Sequence, residues 1–447
     1  MYSPADSRSM RRALGLIGLI ACLLPGCRSY TEKTGRALTL FESGRFAEAE
    51  HLYADKGMTG STFLSGAEAG LSALSGGDFP RAIEHLTSAA QFAEDVEMQA
   101  LLDPSALAQS LTSMVVSETA KDYKGEGFER VMVHSCLGLA YLATGSIEDL
   151  LVEVRRANDL LVAEEGLYET EYKAGGFAHF LSAVGYELRG EPDQAFVDYY
   201  AMLEKGVGEA IAGPSAGRLV RQMHRESSYP ELMDRFGAAE DVPANSAQII
   251  LIAGVGRGPI KVEGRLDVPT SDGVFSWAVP SFQARGSSTS HLELSAGGVT
   301  ASSVIVEDVT AVATKNLGDR LAYLSLKSAV RGLLKRQFAN QMRKDHGEGA
   351  FVLAQIFTMA TERADLRSWT TLPDTWQAAR VFPQPGEVNL TLRAVGGETV
   401  SLGSYEMEPG ETIFLLARTL GPQVYVHVLG GKSLTEAAPV PNSQSTP

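Results

Sequence analysis

A serine between two glycines is the first position where chemistry could occur. Residues 213–217 are Gly-Pro-Ser-Ala-Gly, the spacing of a nucleophile elbow, which holds a catalytic serine on a tight turn between a strand and a helix. The residues before Gly213 make a poor strand, and proline is common where a helix begins. We therefore predict that a helix begins here and that Ser215 is not a nucleophile.

Three glycines, at positions 254, 256 and 258, follow an apolar run, as they would in a dinucleotide-binding loop. Such a loop delivers the phosphates to the start of a helix. Residues 259–262 begin another strand instead. The pattern therefore predicts a hairpin turn between two strands and no nucleotide cofactor.

Carboxylates at Glu307 and Asp308, and at Glu362 and Asp365, could act as acid and base. Arginines next to the second pair favour a structural charge network there. The eight histidines do not cluster at metal-ligand spacing, and neither His-Glu-x-x-His nor a paired Cys-x-x-Cys motif occurs. We predict no catalytic residue, no metal and no cofactor, and we favour a protein that is not an enzyme.

Cys27 is the residue with the clearest predicted chemistry. It ends a Leu-Pro-Gly-Cys run that follows a twelve-residue apolar stretch, Ala13 to Leu24, and a start with three arginines. This order is typical of a cleaved export signal, and its last four residues resemble the lipobox of bacterial lipoproteins. We expect residues 1–26 to be removed and Cys27 to carry the acyl chains that hold the protein to a membrane. Arg28, rather than an aspartate, follows, which favours the periplasmic face of the outer membrane in the lipoprotein sorting pattern.

Composition limits the remaining possibilities. The 447 residues exceed what one core usually serves, so we expect two or three domains. A formal net charge of −15 disfavours binding to a phosphate backbone, and hence to nucleic acid. Cys22 would leave with the signal and Cys27 would be modified. Cys136 then has no disulfide partner, and we predict that it is a small buried apolar residue.

Residues 27–240 are predicted to form a helical domain. Glycines at 44, 77, 145 and 190 each begin a turn between two helical stretches, with spacings of 33, 68 and 45 residues. These turns resemble those of tetratricopeptide repeats, which implies a solenoid whose concave face binds proteins. An irregular helical bundle is the alternative. Aromatic residues such as Phe177 and Tyr199 would line the groove of the solenoid or form its core.

Residues 241–432 are predicted to form a mixed α/β domain, so that the whole chain is α+β. Short apolar or alternating runs predict strands at Ile249–Ala253, Lys261–Val268, Val274–Val279, His291–Leu294, Val304–Asp308, Ala378–Phe382, Val388–Leu392, Thr412–Ala417 and Val424–Leu429. Helical periods follow over residues 309–344 and about 350–364. Pro-Gly-Glu at 385–387 and 409–411 predicts hairpin entries of a small β-sandwich. The polar residues 433–447 are predicted to be a disordered tail.

Several segments together resemble an uncharacterised family of lipoproteins of the Gram-negative envelope. They are Phe128–His134, Val152–Asn158, Val306–Val309, Ala360–Pro373 and Ala379–Val381. The segment that ends at Pro373 is the most specific. The resemblance implies no established activity. Relatives in this family are often encoded beside small lipoproteins that look like activators of peptidoglycan synthases.

These observations predict a lipoprotein anchored in the outer membrane by Cys27. Its helical repeats would scaffold other envelope proteins, in an assembly that could serve peptidoglycan synthesis. The helical half would lie near the membrane and the mixed domain would reach into the periplasm. The alternatives are an enzyme acting on envelope glycan or lipid through aspartate and glutamate, and a component of a secretion or transport assembly.

Overall fold

The computed structural model describes residues 29–102, 123–168, 174–237, 242, 246–270, 273–318 and 365–434. Helices occupy the first part. They are α1 (Tyr30–Glu42), α2 (Phe46–Tyr53), α3 (Lys56–Thr59), α4 (Thr62–Gly76), α5 (Phe79–Leu102), α6 (Gly127–Ala143), α7 (Ile147–Tyr168), α8 (Gly176–Arg189), α9 (Pro192–Lys205), α10 (Glu209–Gln222) and α11 (Pro230–Phe236). Residues 309–318, in the second part, form a further helix, α12.

The predicted glycine turns join successive helices into pairs. Gly44, Gly77, Gly145 and Gly190 have φ angles of 76°, 81°, 77° and 73°, a left-handed conformation that side chains with a Cβ rarely adopt. Each pair packs on the next, since α5 contacts α6, α7 contacts α8 and α9 contacts α10. The local signals for a series of helix pairs are therefore confirmed.

Strands form the second part. They are β1 (Gln248–Val255), β2 (Ile260–Thr270), β3 (Gly273–Gln283), β4 (Leu292–Ala296), β5 (Val299–Ser302), β6 (Val304–Asp308), β7 (Thr375–Val381), β8 (Gly386–Ala394), β9 (Thr399–Met407), β10 (Thr412–Leu420), β11 (Gln423–Leu429) and β12 (Lys432–Ser433). Sheet 1 has the order β11-β10-β1-β7-β6, and sheet 2 the order β12-β9-β8-β4-β5. Strands β2 and β3 pair only with each other among the described residues.

Sheet 1 is buried on both faces. Ile250 and Ile252 of β1 belong to the large apolar core that includes the helices. Ile249 and Leu251, which point to the opposite face, pack in a second core with strands of sheet 2. The described chain therefore stacks helices, sheet 1 and sheet 2 in that order. Burial on both faces is the physical reason that β1 is a continuous apolar run rather than an alternating one.

The two Pro-Gly turns each carry the chain from one sheet to the other. Pro385-Gly386 leads from β7 in sheet 1 to β8 in sheet 2, and Pro409-Gly410 leads from β9 in sheet 2 to β10 in sheet 1. Each turn is followed by two consecutive antiparallel strands, β8 with β9 and β10 with β11, so the predicted hairpin entries are confirmed. The loop at Gly256 is not the predicted hairpin turn, because β1 pairs with β10 and β7 while β2 pairs with β3. Local turn chemistry shows where a chain bends but not which strands then pair.

Some predictions concern residues outside this description. Cys27, the signal at residues 1–26, Glu362, the helical periods beyond residue 318 and the tail after residue 434 all belong to them. Within the described chain, no helix combines the length and apolar character needed to cross a membrane.

Candidate functional site: a buried segment held by helix carboxylates

The last six residues of the segment Ala360–Pro373 lie inside the molecule. Residues 368–373 run between the helices and sheet 1 without regular secondary structure, and every one of them is buried. Trp369 is 2% exposed and Leu372 is 1% exposed, and both belong to the core shared with the helices. We call residues 368–373 the core segment.

Glu68 of α4 binds the middle of the core segment. Its Oε1 accepts hydrogen bonds from the backbone N–H of Thr370 at 2.7 Å, the Thr370 hydroxyl at 2.7 Å and the Tyr30 hydroxyl at 2.9 Å. Its Oε2 accepts one from the Thr371 N–H at 2.9 Å. Glu68 is 0% exposed, and burial raises the pKa of its carboxyl against these hydrogen bonds. The carboxylate thus supplies the acceptors that the backbone of the core segment needs in the interior.

Glu129 of α6 binds the start of the same segment. Its Oε1 accepts from the Trp369 N–H at 2.7 Å, and its Oε2 accepts from the Tyr123 hydroxyl at 2.6 Å. Burial raises the pKa of Glu129 to about 7. Two helix pairs therefore each contribute one buried carboxylate to the consecutive N–H groups of residues 369–371. The helices thus hold this segment of their own chain by its backbone.

Glu307 makes a third contact of this kind, but here a strand supplies the carboxylate and a helix supplies the N–H groups. It lies on β6 and accepts hydrogen bonds from the N–H groups of Gly175 and Phe177, at 3.3 and 3.1 Å, where α8 begins. A carboxylate at this position satisfies free N–H groups and interacts favourably with the helix dipole. Asp308, its neighbour, is exposed and accepts from the N–H of Ala311 at the start of α12. The two carboxylates thus cap two different helices and do not form an acid–base pair.

Replacing Glu307 by glutamine should change how stability depends on pH. Burial raises the pKa of Glu307 from 4.5 to about 7. Between pH 4.5 and 7 the carboxyl of Glu307 therefore holds a proton in the folded protein that it has lost in the unfolded chain. The free energy of unfolding of the wild type should therefore fall, relative to Glu307→Gln, by on the order of 3 kcal/mol as the pH rises from 4.5 to 7. Urea unfolding across this range measures the difference. Asp308→Asn is the exposed control, and parallel curves for wild type and Glu307→Gln would contradict the prediction.

Arginines of the second part bind acids of the helices. The Nη1 of Arg380, on β7, donates to Glu187 of α8 at 3.0 Å, and its Nη2 donates to the Tyr199 hydroxyl at 2.9 Å. Burial alone would raise the pKa of Glu187, but Arg380 and Arg218 outweigh it and lower this pKa to about 2. Glu187 therefore stays ionised and paired in the interior.

Arg418 supports the core segment from the side of the sheet. Its guanidinium donates to the carbonyl oxygens of Gly254 at 3.0 Å, Gly256 at 2.6 Å and Thr371 at 3.3 Å. Burial lowers its pKa to about 9. The loop with glycines at 254, 256 and 258 therefore lies beside the core segment. Gly258 adds a hydrogen bond from its N–H to the Leu372 oxygen at 2.7 Å.

Two histidine–carboxylate pairs repeat along the helices. The Nδ1 of His134, on α6, lies 2.6 Å from the Oε2 of Glu153, on α7. The Nδ1 of His179, on α8, lies 2.8 Å from the Oδ1 of Asp198, on α9. Both partners of the second pair stand 45 residues after those of the first, the same spacing as Gly145 and Gly190. These pairs were not predicted, because the histidines were compared only with the spacings of metal ligands. The 45-residue spacing of the glycines was the signal that would have found them.

The nucleophile elbow does not form. Residues 213–217 lie within α10, with Pro214 inside the helix rather than at its start, so the predicted helix start was wrong. Ser215 is buried, and its hydroxyl accepts a hydrogen bond from Arg380 at 3.3 Å. A serine in mid-helix lacks the exposed turn that an attacking hydroxyl needs. Cys136 is buried as predicted, and burial raises the pKa of its thiol, which keeps it protonated.

A cleft of about 530 Å³ opens beside Glu307. It is lined by the loop of residues 206–208, by β6 and by α12, and the side chains of Val207, Ile305, Val306 and Val312 make it largely apolar. Its volume is in the range of small-ligand sites. Among the described residues, no group of three or more His, Cys, Asp or Glu side chains is placed to hold a metal ion.

Buried carboxylates and arginines therefore interlock the helices with the sheets, while the candidate acids of the second part cap helices. Asp365, a candidate acid of the second pair, forms an ion pair with Arg367 at 2.7 Å. No protein-family model matches the chain, and no curated protein matches it.

Proposed function

We propose that this protein is a lipoprotein of the Gram-negative outer membrane, anchored through Cys27, that scaffolds other envelope proteins and is not an enzyme. One observation supports this proposal above the others. The buried acids Glu68, Glu129 and Glu307 hold backbone N–H groups, so these carboxylates join distant parts of the chain into one body. A rigid body on a membrane anchor suits a protein that presents surfaces to partners.

The partner surface should differ from the one that a repeat architecture suggests. The core segment and sheet 1 cover the inner face of the helices, where Phe177 stacks on Trp376 with ring centroids 4.3 Å apart. Partners would therefore bind the outer face. Val152 and Val197 are 39% and 60% exposed at equivalent positions, 45 residues apart, of α7 and α9. Exposed apolar residues that recur on the outer face at the repeat spacing would offer a partner one extended contact surface.

The finer structural assignments belong to the same proposal. We propose that the helix pairs form a tetratricopeptide-like solenoid and that the two stacked sheets are a β-sandwich. The chain would then be a member of the envelope lipoprotein family that its sequence resembles, with a domain boundary between residues 240 and 241. The shared core supports a close association of the two proposed domains.

Replacing Cys27 by serine should move the protein from the membrane fraction to the soluble periplasm. Removing the thiol removes the site of acylation, and with it the apolar chains that hold the protein to the bilayer. Fractionation with radioactive palmitate labelling measures both effects. Cys136→Ala is the matched control and should stay labelled and membrane-bound. Unchanged fractionation of Cys27→Ser would contradict the anchor.

The scaffold role is tested by a photo-crosslinking residue at Val197, with exposed Thr399 of sheet 2 as the control position. We expect discrete crosslinks to envelope proteins from position 197 and none from position 399. Purified protein without partners that accelerates glycan turnover would favour the enzyme instead. The apolar cleft supports a second candidate, the carrying of an envelope lipid, and a stoichiometric lipid that copurifies with the protein would favour that function.

A further inference from the structure

The first helix begins almost at the predicted anchor. Only Arg28 and Ser29 separate Cys27 from Tyr30, the first residue of α1. The predicted anchor is therefore separated from the folded protein by almost no linker. The acylation proposed for Cys27, on which this inference rests, would therefore hold the start of α1 close to the membrane.

Ser29 is fixed to the folded body. Its hydroxyl accepts a hydrogen bond from the Glu32 N–H at 3.3 Å, and its own N–H donates to the Glu32 carboxylate at 2.8 Å, which completes a capping box. Tyr30 is 6% exposed and donates its hydroxyl to buried Glu68. The Cα of Cys27 can lie at most about 7 Å from that of Ser29, because extended chain spans about 3.6 Å per residue. The acyl chains would thus leave the body at the start of α1.

One edge of the helical part surrounds this point. The chain turns at Gly44 and α2 runs back along α1, so α3 lies at the edge where α1 begins. The start of α4 is at the same edge, and there the Ser61 hydroxyl donates to the Tyr123 oxygen at 3.0 Å, just before α6. We call the surface formed by the start of α1, by α3 and by the start of α4 the anchor edge. The opposite edge carries the turn at Gly44, about 20 Å away, because α1 has 13 residues that rise about 1.5 Å each.

We propose that the anchor edge lies directly against the lipid headgroups and that the turn at Gly44 faces away from the membrane. The occupant of this surface is the lipid bilayer, and the contact is made with headgroups. The exposed residues near the anchor support this, because Glu32, Lys33, Arg36 and Lys56 are charged and suit a hydrated headgroup layer better than the hydrocarbon core. The short connection restricts rotation of the body, whereas a long linker would allow every face to approach the bilayer.

Fluorescence quenching in vesicles tests the orientation. The acylated full-length protein, labelled on Lys56→Cys or on Ser43→Cys, is reconstituted in vesicles of phosphatidylethanolamine and phosphatidylglycerol that contain a headgroup-nitroxide lipid. Buried Cys136 should not compete for the label. We expect quenching to be several-fold stronger at position 56, on the anchor edge, than at position 43. Inserting twenty Gly/Ser residues between Arg28 and Ser29 should remove the difference, because such a linker reaches about 25 Å.

Mass spectrometry of the amino-terminal peptide separates this inference from the anchor itself. An unmodified Cys27 would overturn both the proposed function and the orientation. An acylated protein with equal quenching at the two positions, or with a preference that the linker does not alter, would overturn the orientation alone.

Discussion

Replacement of Glu68 by alanine is expected to lower the free energy of unfolding by about 3 kcal/mol. The two backbone N–H groups of Thr370 and Thr371 would lose their acceptor in the interior, and each unsatisfied buried donor costs about 1–3 kcal/mol. Relief of the buried charge offsets part of this loss, since burial already raises the pKa of Glu68. Denaturant unfolding of the full chain measures the change.

Two further variants test the cause of this loss. Glu68→Gln keeps an acceptor oxygen but turns an NH₂ group toward one of the donors, so its stability should lie between those of the wild type and Glu68→Ala. Glu84 is exposed on neighbouring α5, and Glu84→Ala should change stability by less than about 0.5 kcal/mol. A loss in Glu68→Ala no larger than that in Glu84→Ala would show that the carboxylate does not hold the core segment.

Replacement of Arg380 by methionine is expected to cost about 3–5 kcal/mol at neutral pH, because it leaves buried Glu187 with an incomplete set of partners. The loss should depend on pH. Since the pKa of Glu187 is depressed to about 2, its contribution to wild-type stability is complete above pH 4.5 and is lost as the pH falls toward 2. The difference between wild type and variant should therefore shrink over that range.

Arg393 provides the matched control for this prediction. It lies on the next strand, β8, and pairs with Glu293 at 2.7 Å, but its side chain is 55% exposed. Exposed ion pairs contribute at most about 1 kcal/mol, so Arg393→Met should be nearly neutral at every pH. Unfolding curves at several pH values compare the two variants. A pH-independent loss in Arg380→Met would mean that packing, rather than the pairing with Glu187, explains the effect.

Strand prediction succeeded where a strand is strongly apolar or alternates cleanly. The runs predicted from Ile249 to Leu429 fall in β1, β2, β3, β4, β6, β7, β8, β10 and β11. Strands β5, β9 and β12 were missed, and β9 is the longest of them. Its Gly403, with a φ of 89°, lies where the register between β8 and β9 shifts, and a glycine inside a strand weakens the local pattern. The glycine at this bulge therefore explains why the pattern did not predict the strand.

The candidate site was identified only in part. The segment that ends at Pro373 stood out in the sequence and its charged residues suggested a structural charge network, but nothing in the pattern indicated that residues 368–373 are buried. The residues that bind it could not be found by pattern. Glu68 is separated from Thr370 by 302 residues and Glu129 from Trp369 by 240 residues. A glutamate on a predicted helix looks the same in sequence whether it faces water or a backbone N–H.

The sequence by itself determined the local structure, namely the helix pairs, the turns at Gly44, Gly77, Gly145 and Gly190, and the doubly buried β1 run. It also placed the predicted anchor at Cys27, two residues before α1. Hydrophobic period and backbone preference act over a few residues, so a linear pattern carries them. Only the tertiary structure decided that the inner face of the helices is filled by the chain's own core segment. Hydrogen bonds between residues hundreds of positions apart depend on which surfaces meet, and periodicity reports that a face is buried without saying against what.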